Sequence, residues 1–583
     1  MAETTTIRAE LSPAPALARF TNTHLAWAGI LLMALFVRAA LPGAFTLSNA
    51  EAVPALTAFS AASGERVMFG NPFFGWLQSL GFAVFGAAET SARLWSILAG
   101  ATLCILPSFL PAARFSRARL FVMGLLLALS PTLWFISRQA TGVALAWALA
   151  FAGWALWQRN AQRAAFIAFG LLLACGADAL LPALSVALVS LAGLLQITKT
   201  DSQLSINLAP HTHPSAKDAL WALAAFVLAS SGIFMRLSGP AEALNGLATA
   251  LQPALGALAL NRAALGFVIY EPLIWLFALA APLVLVATKT SARAHLSEIA
   301  WVIVGLIALL FAPVFGVSAV IPLVIGCVML ASFALAVLAD GLVTRGMFWR
   351  DGVVACVLLV MLLVADMGLR NYAGMGQPLW MISGLLGLAM TILAGIAFGL
   401  LFDIGAALRG GAIALLVFLG LYTAASALHL NHLKAGNPAE PYVSEGIPDG
   451  MNTLVSELNT LSIRAYTDPG AIPMQVADTA SPALRWALRS QRKLTYTAKP
   501  QNAEALLLPQ NTKPETSAEF SGSAFVLSQT SDLSSAKCAQ IVNQLNCQPL
   551  AKWLVFRELP SSNSQRWVLW VRQDLANKAA GKP

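Results

Sequence analysis

Charge is scarce in this chain: Asp, Glu, Lys and Arg together make up 11% of its 583 residues. Soluble domains carry roughly 25%, so a chain this poor in charge and 58% hydrophobic requires a membrane. Histidine and cysteine are also sparse, and no Asp-x-Asp occurs, so metal-dependent sugar transfer of that kind is unsupported. His211 and His213 have no Cys or acid at ligand spacing, and His429 and His432, three apart, lack an evident third ligand. No metal site is expected. No Gly-rich phosphate loop follows any strand, so nucleotide binding has little support and no cofactor is implied. The net charge of +9 forms no Lys/Arg stripe with interleaved aromatics, so nucleic acid is not an expected partner. The excess fits the positive-inside bias and attraction to anionic membrane lipid.

What is present in abundance is long apolar runs. Stretches of about 20 residues, enough to cross a ~30 Å hydrocarbon core, recur from residue 25 to about residue 430. About thirteen transmembrane helices are expected, at 25–42, 73–107 (an interfacial piece, then a span from about 91), 119–134, 141–157, 164–175, 179–197, 218–235, 268–287, 298–313, 317–339, 353–367, 378–401 and 411–428. Met1 to Thr23 is polar, and the apolar run after it has no small-residue cleavage site, so the first helix is read as retained. Arg8 and Arg19, then Arg114, Arg117 and Arg119, Arg159 and Arg163, Lys289 and Arg293, and Arg345 and Arg350 all fall on one side of such a bundle. By the positive-inside rule that side is cytoplasmic.

The resulting layout is a cytoplasmic tail (1–24), a bundle (25–430) with a first outward loop (43–75), a linker (431–448), an extracytoplasmic domain (449–575) and a short tail (576–583). In the polar C-terminal part, helices are expected at 452–461, 481–490 and 535–545, the second with Ser481 as N-cap and Pro482 at the first position. Strands are expected at 473–477, 494–497, 505–508, 524–527, 553–556 and 567–571. The alternation suggests a small soluble α/β domain. Cys104, Cys175, Cys327 and Cys356 lie in apolar spans; Cys538 and Cys547, on the outward side, are expected to form a disulfide.

Several segments carry a family pattern. The first outward loop and its continuation read Leu47-Ser-Asn-Ala-Glu51-Ala-Val, then Gly70-Asn-Pro72, then Phe85-Gly86-Ala-Ala-Glu89-Thr-Ser-Ala-Arg93-Leu. Later come Leu129-Ser-Pro131 to Ser137-Arg138, Tyr270-Glu271-Pro272 and Asn437-Pro-Ala-Glu440-Pro-Tyr442. This resembles the GT-C membrane glycosyltransferases of the protein O-mannosyltransferase and lipid A aminoarabinose transferase type, in a prokaryotic branch with a soluble C-terminal domain. The resemblance implies a GT-C-like bundle and a sugar donor carried on polyprenyl phosphate. It also implies action at the outer face of the cytoplasmic (inner) membrane. An acid of the first loop would act as base toward the acceptor hydroxyl, and arginines would hold the phosphate. Carried over by position, Glu51 would be catalytic. Arg38, Arg93 and Arg138 would serve the donor phosphate, and Asn49, Asn71, Tyr270 and Glu271 would border the cavity. The family usually shows Asp-Glu where this chain has Ala50-Glu51, a His-containing segment at Gly70-Asn71-Pro72, and a second Arg and an Asp after Ser137-Arg138.

Each residue also has a plainer role. Glu51 opens a short helix, where the dipole favours a carboxylate. Arg38 sits where a side chain can snorkel to the interface. Arg93 and Arg138 can fix loops to helix ends, Glu271 can anchor a span entry, and Asp366 and Arg370 are spaced for a local ion pair. Three functions stay open: the lipid-phosphosugar glycosyltransferase; a catalytically degenerate relative that binds lipid or assembles a protein partner through its C-terminal domain; and, more distantly, a transporter.

Overall fold

The computed structural model describes residues 22–41, 43, 45–112, 114–198, 215–254, 262–289, 295–345, 348–501, 503–515, 518–536, 538–541, 544–559 and 561–579. The N-terminal tail with Arg8 and Arg19, the pair His211 and His213, and Arg293 lie outside the described residues.

Helix ends follow local chemistry. After α1 (Asn22–Ala39), α2 (Asn49–Ala62) starts in a capping box: the Ser48 side chain accepts the Glu51 N–H, and the Glu51 carboxylate accepts the Ser48 N–H. Asn71 caps α3 (Pro72–Phe85), with Pro72 in the first turn. α4 (Glu89–Ile105) follows, then α5 (Arg117–Leu129) and α6 (Pro131–Ser137), bent by 59° at Ser130-Pro131, where proline has no N–H to continue the ladder. Next come α7 (Val143–Gln158), α8 (Gln162–Leu173), α9 (Leu180–Thr198), α10 (Ala216–Ser230) and α11 (Gly239–Ala254). α12 (Arg262–Tyr270) and α13 (Pro272–Thr288) bend by 80° at Glu271-Pro272. The bundle closes with α14 (Leu296–Leu310), the short α15 (Ala312–Phe315), α16 (Ile321–Arg345), α17 (Phe348–Met375), α18 (Pro378–Leu401) and α19 (Ile404–Leu428). α19 runs into a π turn at His429–Leu433.

Among the described residues six stretches are long and apolar enough to cross a membrane, and eight when each bent pair counts as one span; five shorter apolar helices accompany them. The chain is a multi-pass α-helical membrane protein. Val143–Gln158, Gln162–Leu173 and Leu296–Leu310, read as crossings from hydropathy, are among the shorter helices. Small residues let helices approach closely: a Cβ on Gly368 of α17 would stand 2.6 Å from the Gly384 nitrogen of α18.

The C-terminal region contains α20 (Gly450–Tyr466), β1 (Met474–Ala477), α21 (Pro482–Ala487), β2 (Leu494–Thr497), β3 (Ala505–Pro509), β4 (Phe520–Ser531), β5 (Ala539–Ile541), β6 (Gln544–Asn546), α22 (Gln548–Phe556), β7 (Ser561–Arg572) and α23 (Gln573–Ala579). Five strands make a mixed sheet in the order β2-β1-β3-β7-β4, parallel at β1–β2 and β1–β3, antiparallel at β3–β7 and β4–β7. Central β3 has Ala505 to Leu508 all buried, the mark of a strand covered on both faces.

Two sequence expectations are corrected here. The described residues of 538–546 do not form the expected helix: β5 and β6 pair antiparallel, Ala539 opposite Asn546, and a disulfide joins Cys538 to Cys547. A helix would hold residues nine apart at roughly 13 Å, whereas these two Cα atoms are 4.1 Å apart. Residues 553–556 are the end of α22 rather than a strand. A four-residue apolar run does not separate the two states; here it continues the apolar face of Ala551, which packs with Tyr372 and Ala373 of α17.

The C-terminal region and the first loop share one hydrophobic core. Leu47, Ala52, Ala55, Ala58, Phe69 and Phe82 are buried together with Leu454, Leu484, Trp486 and Leu506. The ring of Trp486 lies 5.6 Å from Phe82, and its Nε1 donates to Glu89 Oε1 at 3.0 Å. Arg489 adds an ion pair to Glu89 at 3.2 Å and hydrogen bonds to the Ala87 carbonyl.

Candidate active site

The Ser48 cap turns the Glu51 side chain inward, and α4 supplies its partner. Arg93 Nε donates to Glu51 Oε1 at 2.9 Å and its Nη2 to Oε2 at 3.2 Å. Ala140 N–H fills the remaining site on Oε1 at 2.9 Å; Ser48 N–H and Oγ donate to Oε2 at 2.9 and 3.0 Å. Burial raises the Glu51 carboxyl, but the Arg93 charge and these hydrogen bonds outweigh it and hold the group below the ordinary carboxylate range. A carboxylate has about four acceptor sites, and five donors already address them. Glu51, expected as the catalytic base, has no lone pair left for an acceptor hydroxyl. Its geometry ties the first loop to α4 and to the segment after α6.

The arginines divide likewise. Arg38 is fully buried, its Nε on Ser137 Oγ at 2.9 Å and its other nitrogens on the carbonyls of Ala34, Leu127 and Ala128. It neither snorkels nor lines the cavity described below; it ties α1 to α5 and α6. Arg93 is occupied by Glu51 and by the Phe45 and Thr46 carbonyls. Arg138 caps α1, donating to the carbonyls of Arg38, Ala40 and Leu41. A guanidinium has five donors; these three bonds leave two of Arg138's, and no carboxylate lies within ion-pair distance of it among the described residues.

Asn71 is a cap, accepting from Phe74 N–H and donating to Asp178 at 2.7 Å, and it lies outside the cavity. Tyr270 hydrogen-bonds Glu440, and Arg557 approaches the same carboxylate at 3.4 Å. Burial pushes the Glu440 carboxyl up, only partly offset by the Tyr270 hydrogen bond and the Arg557 charge. Glu271 accepts from Ser130 Oγ at 2.5 Å and Thr132 N–H at 3.0 Å. Its Oε2 is buried with no hydrogen-bond partner among the described residues. These groups brace the bend between α12 and α13 and meet the cavity only through Tyr442, whose hydroxyl pairs with Thr132 at 2.9 Å.

The cavity has a volume of ≈ 170 Å³. The first loop contributes Ser48, Asn49, Ala50 and Glu51, the end of α6 contributes Phe135 and Arg138, the π turn contributes Asn431, and the linker contributes Tyr442 and Glu445. Glu445 was not singled out from the sequence. It is half-buried, Asn49 Nδ2 donates to its Oε2 at 2.7 Å, and its Oε1 has no hydrogen-bond partner among the described residues. Asn49 Oδ1 accepts the Ala483 N–H at 2.9 Å, so one side chain joins the first loop, the linker and α21. The sequence signal for the linker wall was its Asn437 to Tyr442 run, and the π turn just before it is a helix defect frequent at functional sites.

No family model matches this sequence, and no curated protein matches it. Solved structures similar in shape include ArnT from Cupriavidus metallidurans bound to undecaprenyl phosphate, at 16% identity and TM-score 0.49, covering 94% of this chain and 98% of that one. The arabinosyltransferase EmbB from Mycobacterium smegmatis is similar at 14% identity and TM-score 0.41, over 73% of this chain and 43% of that one. The Archaeoglobus fulgidus oligosaccharyltransferase is similar at 11% identity and TM-score 0.38, over 82% and 62%. Likenesses of this size do not fix activity or ligand.

Proposed function

We propose that this chain is a glycosyltransferase of GT-C type that uses a sugar carried on polyprenyl phosphate. It works at the outer face of a prokaryotic cytoplasmic membrane, with about thirteen crossings, the N-terminus in the cytoplasm and the C-terminal domain outside. The observation that carries the reading is the cavity itself. The motif segments around Asn49, Arg138 and Tyr442 converge on it, and it sets a guanidinium with two donors to spare beside a carboxylate with a free oxygen. A charge-assisted N–H pair suits the phosphate, whose charge grows as the sugar leaves.

The cavity is small beside the roughly 300–1,000 Å³ of a ligand pocket, so it takes a sugar phosphate headgroup and not a prenyl chain. An apolar groove of ≈ 370 Å³ between α12, α13, α17, α18 and α19 suits the chain. Its wall residues Ile269 and Pro272 flank Tyr270-Glu271, which braces Tyr442 of the headgroup cavity. The test is sugar transfer or release by purified protein in liposomes from a panel of polyprenyl-phosphate pentoses and hexoses. Turnover of one donor supports the reading; a protein that binds polyprenyl phosphate but turns over none of them favours the second.

That second reading is a lipid-binding or assembly subunit of the same fold, its C-terminal domain holding a protein partner. One observation favours it: Glu51, Arg93 and Arg38 are all engaged in holding the protein together.

A further inference from the structure

We propose that Glu445, from the linker, is the catalytic base of this cavity, which it lines together with Ala50 of the first loop. The inference rests on the glycosyltransferase reading. Two carboxylates line the cavity, Glu51 and Glu445. Glu51 is buried and accepts from Arg93, Ser48 and Ala140. Glu445 lines the cavity, is half-buried, and accepts one hydrogen bond on one oxygen and none on the other among the described residues. A base must have a lone pair within hydrogen-bond reach of the proton it takes, and only Glu445 meets that condition here.

Its position is set by the neighbouring residue in the loop. Asn49 donates to Oε2 at 2.7 Å, Oε1 accepts no hydrogen bond among the described residues, and Glu445 lines the cavity. The linker is held from behind: Gly446 exchanges backbone hydrogen bonds with Gln529 of β4 at 2.8 and 2.9 Å, and a Cβ on Gly446 would stand 2.2 Å from the Gly436 carbonyl oxygen. The carboxylate is therefore presented from a segment held at the very next residue by β4. The charged groups that face it are Glu51 from α2, Arg93 from α4 and Arg138 after α6. The first two neutralise each other, which leaves Arg138 for the donor phosphate.

The step balances without another reactant. Glu445 takes the proton of the acceptor hydroxyl as that oxygen bonds to the anomeric carbon. The bond from the anomeric carbon to the phosphate oxygen breaks, and its electron pair leaves with the polyprenyl phosphate beside Arg138. The products are the glycosylated acceptor, polyprenyl phosphate and a protonated Glu445, which returns its proton to water.

The experiment uses the full chain in liposomes with the donor panel described above. Turnover and binding of undecaprenyl phosphate are measured in parallel. Glu445→Gln is expected to lose turnover by about 10²- to 10⁴-fold, the range of general-base catalysis, with lipid binding unchanged. Glu445→Asp, which keeps a carboxylate, is expected to restore part of the rate, which a merely structural role would not do. A Glu445→Gln protein that keeps wild-type turnover, or that loses lipid binding in step with rate, overturns the assignment while leaving the glycosyltransferase reading intact. A wild type that turns over no donor overturns that reading and the base with it.

Discussion

Arg93 grips Glu51 at two points, 2.9 Å and 3.2 Å, with both side chains 7% exposed. Removing one partner of a buried pair strands the other charge, a cost of about 3–5 kcal/mol. Glu51→Gln is therefore expected to lower the melting temperature in nanodiscs as well as activity. A variant that melts like wild type yet has no turnover would return Glu51 to the chemistry.

The same pair has a pH signature. The Glu51 carboxyl is held below its unfolded value, so its contribution is fully present above about pH 4.3 and is lost as pH falls through the lower folded value. The difference in melting temperature between wild type and Glu51→Gln should stay level from about pH 5 to 8 and shrink below about pH 4. A difference that grows on acidification would contradict this.

Asn49→Asp sets a second carboxylate within 2.7 Å of Glu445 while keeping an acceptor for Ala483 N–H. Two carboxylates at that distance repel, and the hydrogen bond that Asn49 donates is lost, so the linker should loosen from the loop. Limited proteolysis of the 436–447 segment in the variant and in wild type reads this directly; equal cleavage rates would refute it.

Gly266 lies against the ring of Tyr442, where a Cβ would come 2.2 Å from Cε1. Gly266→Ala must displace that ring and its hydroxyl contact to Thr132, with an overpacking cost of roughly 1–3 kcal/mol. Weaker polyprenyl phosphate binding is expected, measured against Gly420→Ala, where nothing stands within 4 Å of the added Cβ.

Local chemistry made much of this legible. Ser48 and Ser481 show as caps in sequence because the cap partner is three residues away. Leu494–Thr497 shows as a β-branched and aromatic run, and the Ala505 strand as a short apolar one. The expected 535–545 helix fails because a short polar stretch has weak periodicity, and here the chain pairs as β5 and β6 beside the 538–547 disulfide. Glu445 was out of reach for a different reason. Its partner Asn49 is 396 residues away, and no spacing rule connects them. The roles of Arg38 and Glu51 were ambiguous because a carboxylate or guanidinium that binds ligand and one that staples loops look alike until their partners are counted.

The cavity draws its walls from residues 45–51, 93, 135–139 and 430–447, and the last of these is seated by β4 and α21 further on. Translation proceeds from the N-terminus, so every helix of the bundle leaves the ribosome before the final wall does. A nascent chain halted anywhere short of the linker has the bundle's arginines but no pocket between them. Assembly thus carries its own timing: the membrane part must be in place first, and the site comes into being only when the tail of the protein folds back over it.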